Sequence, residues 1–568
     1  MPEKAFYVCI KDSVFIDPPY NTGNDSFIYP DKFSESREEY ARRVGDKDDN
    51  GYLKRDGVFQ GAFRKNAKDN GHYHSNWLNM MLPRLHLAKT LLSDDGVIFI
   101  SIDDNEQAQL KILCDEVFGE ENFVCDFIVN SNSSKNNSKK VSISHEYILC
   151  YLKSSSNQEE WKVKKQQIEA YENKAKQLLK MNLTEDEIHQ ELLQLVKYPR
   201  FYDFDHYTYA DVNGIYGLWD MGGVENGNLK TEILHPITGK SCAKPIGGWR
   251  YKDETLKEML KNNQIAFGED ETIIPRVKRY LHDYTEQVPK SNVFFDSQAT
   301  TKWLKSIKIP FAFPKSIELI KHILSICDNQ NSLILDFFAG SGTTAHAVMQ
   351  LNAEDGGNRR FICVQMPEIC EENSEAAKAG FATIAEIAKE RIRRAGAKIK
   401  KENPDKTIDT GFKVFKLSES HFKQWQGNLK QDSSLNAQND GVVTARNDGL
   451  NSGSLNDTQQ LDLLSNFQDV VQNGATLENM AYELALRLGF QLTDAFDFSG
   501  SIVWLDNHQK TRKTALLLAS FNQELLDKIL SAKPVKVFAL DKIFNGNDAL
   551  KVNTALQLQD AHIDFESL

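Results

Sequence analysis

Val14-Phe15-Ile16-Asp17-Pro18-Pro19-Tyr20-Asn21 is the stretch whose reading decides the fold. Its apolar run has the length and composition of a strand buried inside a parallel sheet. The run ends in an acid, two prolines and a tyrosine. Proline cannot donate to a sheet ladder, so the chain leaves the sheet at Asp17 on a stiffened backbone, with its carboxylate at the strand's C-terminal edge. Open α/β sheets place their chemistry at that edge. An acid beside a rigid carbonyl and an aromatic ring suits gripping the exocyclic amino group of a planar base while the ring stacks on its face. A strand followed by a plain Pro-Pro turn accounts for the same residues. The rest of the chain has to decide.

Downstream the pattern is that of a parallel α/β sheet. From Trp77 to Leu92 the apolar residues Leu78, Met81, Leu82, Leu85, Ala88 and Leu92 recur at helical spacing, and Ser93-Asp94-Asp95-Gly96 closes the helix. The strand Val97-Ile98-Phe99-Ile100-Ser101-Ile102 follows, with a new helix expected from about Glu106, then strands over Phe123 to Val129 and Glu146 to Tyr151. At Lys153 the character changes. Ser154 to Tyr198 reads as polar helices, with Thr184-Glu185-Asp186-Glu187 as a capping box, and Arg200 to Lys290 is rich in Tyr, Trp and Gly without α/β rhythm. The rhythm then returns. Pro314 is expected as the first-turn proline of a helix containing Ile317, Ile320, Ile323 and Leu324. A strand over Leu333 to Phe338 runs into Ala339-Gly340-Ser341-Gly342-Thr343-Thr344 and another helix, and the strand Phe361 to Met366 ends at Pro367-Glu368. A basic helix is expected to stop at Gly396, and Gly411 to Trp425 reads as a last strand. An Asn/Asp/Ser/Gly segment has the composition of a disordered linker and precedes a small α/β tail.

The second informative stretch is Asp336-Phe337-Phe338-Ala339-Gly340-Ser341-Gly342-Thr343. Glycines at a strand-to-helix turn let backbone approach a ligand, and the helix N-terminus favours an anionic group. A plain turn would also use Gly-x-Gly, and the full dinucleotide pattern is missing. Glu368, closing the following strand, stands where nucleotide folds place the acid that binds ribose hydroxyls. Together these residues describe a nucleoside pocket without the Lys-Ser/Thr of a P-loop. An adenosine-bearing cofactor with an amino-acid tail, S-adenosylmethionine, fits better than a nucleoside triphosphate or NAD.

Composition narrows the class. The chain has 568 residues, 40% of them hydrophobic and 26% charged, which implies several soluble domains. No apolar run approaches the ~20 residues that span a bilayer. The eight cysteines form no Cys-x-x-Cys pair, so a reducing cytoplasm is expected and a zinc site is not. His72 and His74 bracket Tyr73 but lack further ligands at suitable spacing, which favours a structural or surface role over a metal. A net charge of -12 argues against wholesale coating of nucleic acid and leaves a local basic groove, with Arg276 to Lys315 as the candidate stretch, unless its cations merely solvate a surface.

Asp17-Pro18-Pro19-Tyr20, followed far downstream by Asp336-Phe337-Phe338-Ala339-Gly340-Ser341-Gly342-Thr343-Thr344, resembles the β-class amino-methyltransferases of DNA, in which the catalytic motif precedes the target-recognition domain and the cofactor motif follows it. The longer run from Asp17 to Asp31, Ser144-His145-Glu146-Tyr147-Ile148-Leu149 and the closing segment from Leu540 resemble the modification (Mod) subunit of type III restriction-modification systems. The resemblance implies a Rossmann-like S-adenosylmethionine-dependent methyltransferase fold with circularly permuted motif order, an inserted target-recognition domain and a small C-terminal α/β domain. In this chain these would be 1–152 (catalytic half), 153–290 (recognition), 291–425 (cofactor-binding half), 426–460 (linker) and 461–568. It implies that Asp17 and the Pro18 carbonyl, held by Pro19, accept hydrogen bonds from the adenine N6 amino group and that Tyr20 stacks on the base. Asp336, Phe338, Gly340, Gly342 and Thr343 would line the cofactor, Glu368 would hold its ribose, and Lys315 would lie near its methionine end.

The implied activity is site-specific N6-adenine methylation of double-stranded DNA by a cytoplasmic homodimer that works with a restriction (Res) subunit. Sixteen residues precede Asp17, without the Gly-Asp step that family members carry there, so a truncated N-terminus and weakened cofactor binding are expected. Two alternatives stay open: a catalytically impaired recognition and assembly subunit, and an N4-cytosine DNA methyltransferase.

Overall fold

The computed structural model describes residues 13–23, 26–28, 64–66, 68, 71–130, 141, 143–156, 160–181, 183–222, 227–311, 313–327, 330–418, 420–422, 470–472, 474–507 and 513–568. Most of the polar loop after Asn21 and the whole 426–460 segment lie outside them. The chain divides into two compact units, Cys9–Thr410 and a second that contains Gly411–Leu568.

The larger unit is built on a seven-stranded sheet. Its order is Asn292–Phe294, Phe123–Asn130, His145–Leu152, Val97–Ile102, Ser13–Ile16, Leu333–Asp336, Arg360–Cys363. All pairs are parallel except those of His145–Leu152, which runs antiparallel to both neighbours. Phe123–Asn130 and His145–Leu152 are consecutive in the chain and pair antiparallel over most of their length, as a hairpin does. Ser13–Ile16 is central: Ser13 pairs with Val97 on one side and Ile334 on the other.

Alternation along each strand decides which side is covered by what. Val14, Ile16, Ile98 and Ile100 pack with Trp77, Met81 and Leu85 of the helix Tyr73–Leu91 and with Leu110 and Cys114 of Gln107–Phe118. Phe15, Phe99 and Ile334 point to the opposite face, against Ile320 and Ile323 of Ile317–Ile326 and Val348 of Thr343–Asp355. Burying both faces explains why these strands read as continuous apolar runs.

Two boundaries differ from the sequence reading. The helix expected from Pro314 begins at Ile317, because the Ser316 side chain accepts from the Leu319 amide as N-cap. Pro314 therefore precedes the cap and Lys315 is free of the helix. Gly396 does not end the basic helix, which runs through it as Ile384–Glu402. Its lack of a side chain serves close packing instead, since a Cβ there would lie 2.8 Å from Thr410 Cβ.

Between Leu152 and Asn292 the chain makes an excursion from the seven-stranded sheet within the same compact unit. Val163–Lys164 pairs antiparallel with Glu286–Gln287 as a neck. Beyond it lie the helices Ile168–Leu179 and Glu185–Leu195, the latter opened by the Thr184/Glu187 capping box. An antiparallel sheet follows, ordered Ile265–Ala266, Arg276–Tyr280, Gly214–Asp220, Tyr209–Asp211. Two cores support it, one around Tyr171, Phe201 and Phe204 and one around Met221, Trp249 and Leu256.

The second unit is a five-stranded sheet, Ala495–Asp497 to Asp564–Ser567 in sequence order, with helices Leu477–Arg487, Gln523–Ala532 and Asp548–Asp560. The strand expected over Gly411 to Trp425 is not formed by the described residues, apart from a lone bridge between Phe422 and Val471. Val414, Phe415 and Leu417 stay exposed, so alternation there has no ladder to serve. The unit boundary at Gly411 thus precedes the expected 291–425 limit.

Candidate active site

Ser13–Ile16 and Leu333–Asp336 are adjacent and parallel, and the chain winds outward from them on opposite faces of the sheet. That is a topological switch point, where a crevice opens beyond the strands' C-terminal ends. A cavity of about 360 Å³ lies there. Of the residues singled out from sequence, it is lined by Asp17, Pro18, Pro19, Lys315, Asp336, Phe338, Gly340, Thr343 and Glu368. Tyr20 and Gly342 are outside its lining. Asp17 to Pro19 and the residues from Asp336 to Glu368 that line the cavity are thus brought to one crevice across more than half the chain.

The Asp17-Pro18-Pro19-Tyr20 turn is locked from behind. Trp77, fully buried, donates its Nε1–H to the Pro19 carbonyl at 2.7 Å. Asn21 is buried in a left-handed conformation, φ 57°, which Asn tolerates better than most residues. Its Nδ2 donates to Glu106 Oε1, Asn66 Nδ2 donates to its Oδ1 at 3.0 Å, and the Tyr73 hydroxyl donates to its carbonyl. His74 Nδ1 lies 2.7 Å from the same Glu106 oxygen. His74 is therefore part of this support, and no cluster of three metal-binding side chains occurs among the described residues.

Around Asp17 stands a group of charges that sequence reading assigned only in part. Lys315 Nζ donates to Glu146 Oε2 at 2.7 Å and to the Tyr20 hydroxyl, and lies 3.4 Å from Asp17 Oδ1. The Tyr20 hydroxyl also donates to Glu146 Oε2, at 3.1 Å. Burial raises the Asp17 carboxyl above its ordinary range, while Lys315 pulls it back and Glu146 adds to the rise. Burial alone would lower Lys315, but the carboxylates of Asp17 and Glu146 outweigh it and the net shift is upward. Burial, then Asp17 and Glu146, push the Tyr20 phenol well above its usual value, so it stays neutral. Lys315, expected at the cofactor's tail, thus sits within the Asp17–Tyr20 cluster while also lining the cavity. Glu146 was quoted in the sequence without a role; its separation of 126 residues from Tyr20 hides the contact.

The other wall is the glycine loop. Asp336 does not reach out from it. Its Oδ1 accepts from the Phe338 amide at 3.0 Å and its Oδ2 from Thr344 Oγ1 at 2.6 Å, so the carboxylate shapes the turn. Burial pushes that carboxyl up to about 7. Gly340 (φ 52°) and Gly342 (φ 77°) are both left-handed, the region where glycine costs least. A Cβ on Gly342 would stand 3.2 Å from Ile392 Cγ1, so this glycine supports the loop from outside the cavity. The Gly340 amide donates to Gln365 Oε1 at 2.7 Å, a cavity residue that the sequence did not flag. Glu368 is raised by burial. Phe313, almost fully exposed with φ 53°, also lines the cavity. The basic stretch disperses: Lys278 pairs with Asp211, Lys290 with Asp203, and Lys315 joins the site.

Comparison with known proteins bears on this crevice directly. A family model described as DNA methylase matches residues 12–379, a span that contains both walls of the cavity and the excursion. The chain belongs to the DNA methylase family. Three relatives of the chain are Mod subunits of type III restriction-modification enzymes. The EcoP15I subunit of Escherichia coli is 35% identical over 71% of this chain and 61% of its own length. The StyLTI subunit of Salmonella typhimurium is 35% identical over 72% and 57%, and the EcoPI subunit of Escherichia phage P1 33% over 71% and 61%. The chain therefore spans about three fifths of the length of these relatives. No described helix of the chain is long and apolar enough to cross a membrane.

Proposed function

We propose that this chain transfers a methyl group from S-adenosylmethionine to N6 of adenine in double-stranded DNA, as the modification and recognition subunit of a type III restriction-modification system. The observation that carries this reading is the shared crevice: the Asp17-Pro18-Pro19 turn and the Gly340 loop line one cavity. Its volume of about 360 Å³ falls in the ~300–1,000 Å³ class of small-molecule pockets. The residues present fit the cofactor: Phe338 offers an apolar face, Glu368 an acid for ribose hydroxyls, and Ser341 and Thr343 hydroxyls at a helix N-terminus for the carboxylate. When bound, the cofactor supplies an electrophilic methyl group on a sulfonium.

The chain's own residues then have defined work. N6 is unreachable inside a base stack, so the adenine must be extruded. Asp17 and the Pro18 carbonyl accept the two N6 hydrogens and localise the amine lone pair, and the Pro19 carbonyl, already bonded to Trp77, stays with the scaffold. Tyr20 stacks on the base. Orientation and hydrogen bonding supply the catalysis, with no covalent intermediate. The proton lost from the methylated amine passes to Asp17 or to water.

Recognition belongs, in this reading, to 153–290, the excursion beyond the neck, with 1–152 and the segment from 291 forming the methyltransferase halves. The Mod names of three relatives support a Res partner and DNA as the substrate; homodimerisation and a cytoplasmic setting complete the proposal. Single-molecule sequencing of plasmid DNA from cells expressing this chain alone tests it. N6-methyladenine at one sequence motif is the expected result. N4-methylcytosine would transfer the mechanism to cytosine, and unmodified DNA would leave a recognition and assembly subunit.

A further inference from the structure

Arg391 lies fully buried on the inner face of the helix Ile384–Glu402, beside the glycine loop. Its Nη1 donates to Ser341 Oγ at 2.5 Å and to Thr343 Oγ1 at 2.6 Å. Its Nε and Nη2 have no hydrogen-bond partner among the described residues, and no carboxylate pairs with it there. Its guanidinium carbon lies 5.8 Å from the centre of the Trp303 ring, which packs in turn on His346. His346 is held neutral by burial, with its pKa lowered to about 3. Burial lowers Arg391 to about 9, which still leaves it protonated at neutral pH. A charged guanidinium thus sits out of water without a protein anion, an arrangement that burial strongly disfavours unless something compensates it.

The polarity of the two hydroxyls shows what would. A guanidinium can only donate, so Ser341 and Thr343 must accept from it, and each keeps one proton to give. Among the described residues neither hydroxyl donates to another group. Both line the cavity, at the N-terminus of the helix Thr343–Asp355, whose dipole favours an anion. We infer that Arg391 is a positioning residue: through Ser341 and Thr343 it presents two oriented O–H donors and a buried positive charge that select for the carboxylate on the cofactor's amino-acid tail. This rests on the S-adenosylmethionine reading given above.

Calorimetric titration of the full chain tests it with two ligands, S-adenosylmethionine and its decarboxylated analogue, which keeps the adenosine, sulfonium and amine. The wild-type chain should bind S-adenosylmethionine about tenfold or more tightly than the analogue, the range expected of hydrogen bonds to a charged group. Arg391→Met should remove most of that preference by weakening S-adenosylmethionine, while the analogue's affinity stays within about twofold. Thr343→Val, nearly isosteric and leaving the arginine in place, should shift the same preference and carries the comparison if Arg391→Met does not fold. Equal weakening of both ligands, as a purely structural role would give, overturns the proposal. So does a wild-type chain that binds both ligands equally. A wild-type chain that binds neither overturns the cofactor reading itself, and this proposal with it.

Discussion

Replacing Lys315 by methionine should raise the pH at which methyl transfer fails on the acid side. Asp17 has to be ionised to accept from an amino group, and its carboxyl is already lifted by burial and held down mainly by Lys315. The two charges are 3.4 Å apart. At an effective dielectric constant of ~20 their attraction is ~5 kcal/mol, a ceiling of ~3.5 pH units. A carboxylate beside a cation is usually lowered by about 1–3 units, so Lys315→Met should move the acid limb upward by about that much. Glu146 works in the opposite sense, raising Asp17. Glu146→Gln should therefore move the limb downward, by about a unit or less because Glu146 is itself neutralised by Lys315. Single-turnover transfer of a radiolabelled methyl group to DNA, at saturating cofactor from about pH 5 to 9, reads both shifts. A limb that moves in the same direction in the two variants, or in neither, would refute the placement of these charges around Asp17.

Three further outcomes are expected. Asp17→Ala should lower the single-turnover rate by ~10²-fold or more, and a rate within a few-fold of wild type would exclude the role given to Asp17. Asp336 carries a carboxyl raised in the folded chain from 3.8 to about 7, so its contribution to stability is complete below 3.8 and is lost as pH rises through 7. Asp336→Asn, which keeps a carbonyl for the Phe338 amide, should flatten that fall, worth up to ~4 kcal/mol, in urea unfolding at a series of pH values; a parallel decline in both proteins would contradict it. Gly342→Ala must place a Cβ 3.2 Å from Ile392 at φ 77°, and should lower the urea midpoint by the equivalent of ~1–2 kcal/mol while weakening cofactor binding. An unchanged midpoint would mean the loop relaxes out of the left-handed region.

The sheet was largely legible because both of its faces are covered. Val14 and Ile16 on one side and Phe15 on the other leave an uninterrupted apolar word that ends where the prolines begin, and Val97 to Ile102 repeats it. The two walls of the cavity were readable for a related reason: a strand ending in an acid and a strand ending in Gly-x-Gly each carry a local steric cause. What could not be read is contact at a distance. Glu146 meets Tyr20 across 126 positions and Arg391 meets Ser341 across 50, and neither side chain has a local pattern that names its partner. Gly396 misled because a helix-stopping glycine and a close-packing glycine look alike in sequence; only the nearby Thr410 separates them. Pro314 misled because the stronger cap, Ser316, lay two residues further on.

The neck at Val163–Lys164 and Glu286–Gln287 has a consequence for how such a chain can change over generations. The excursion departs from His145–Leu152 and rejoins at Asn292–Phe294, both on the flank of the sheet away from Leu333–Asp336 and its glycine loop. A foreign excursion spliced in at those two points would meet the same anchoring strands, and none of the contacts that hold Pro19, Asn21 or Asp336 would have to be remade. On the proposed reading of that excursion, the choice of target and the chemistry at Asp17 are carried by segments that can be exchanged separately.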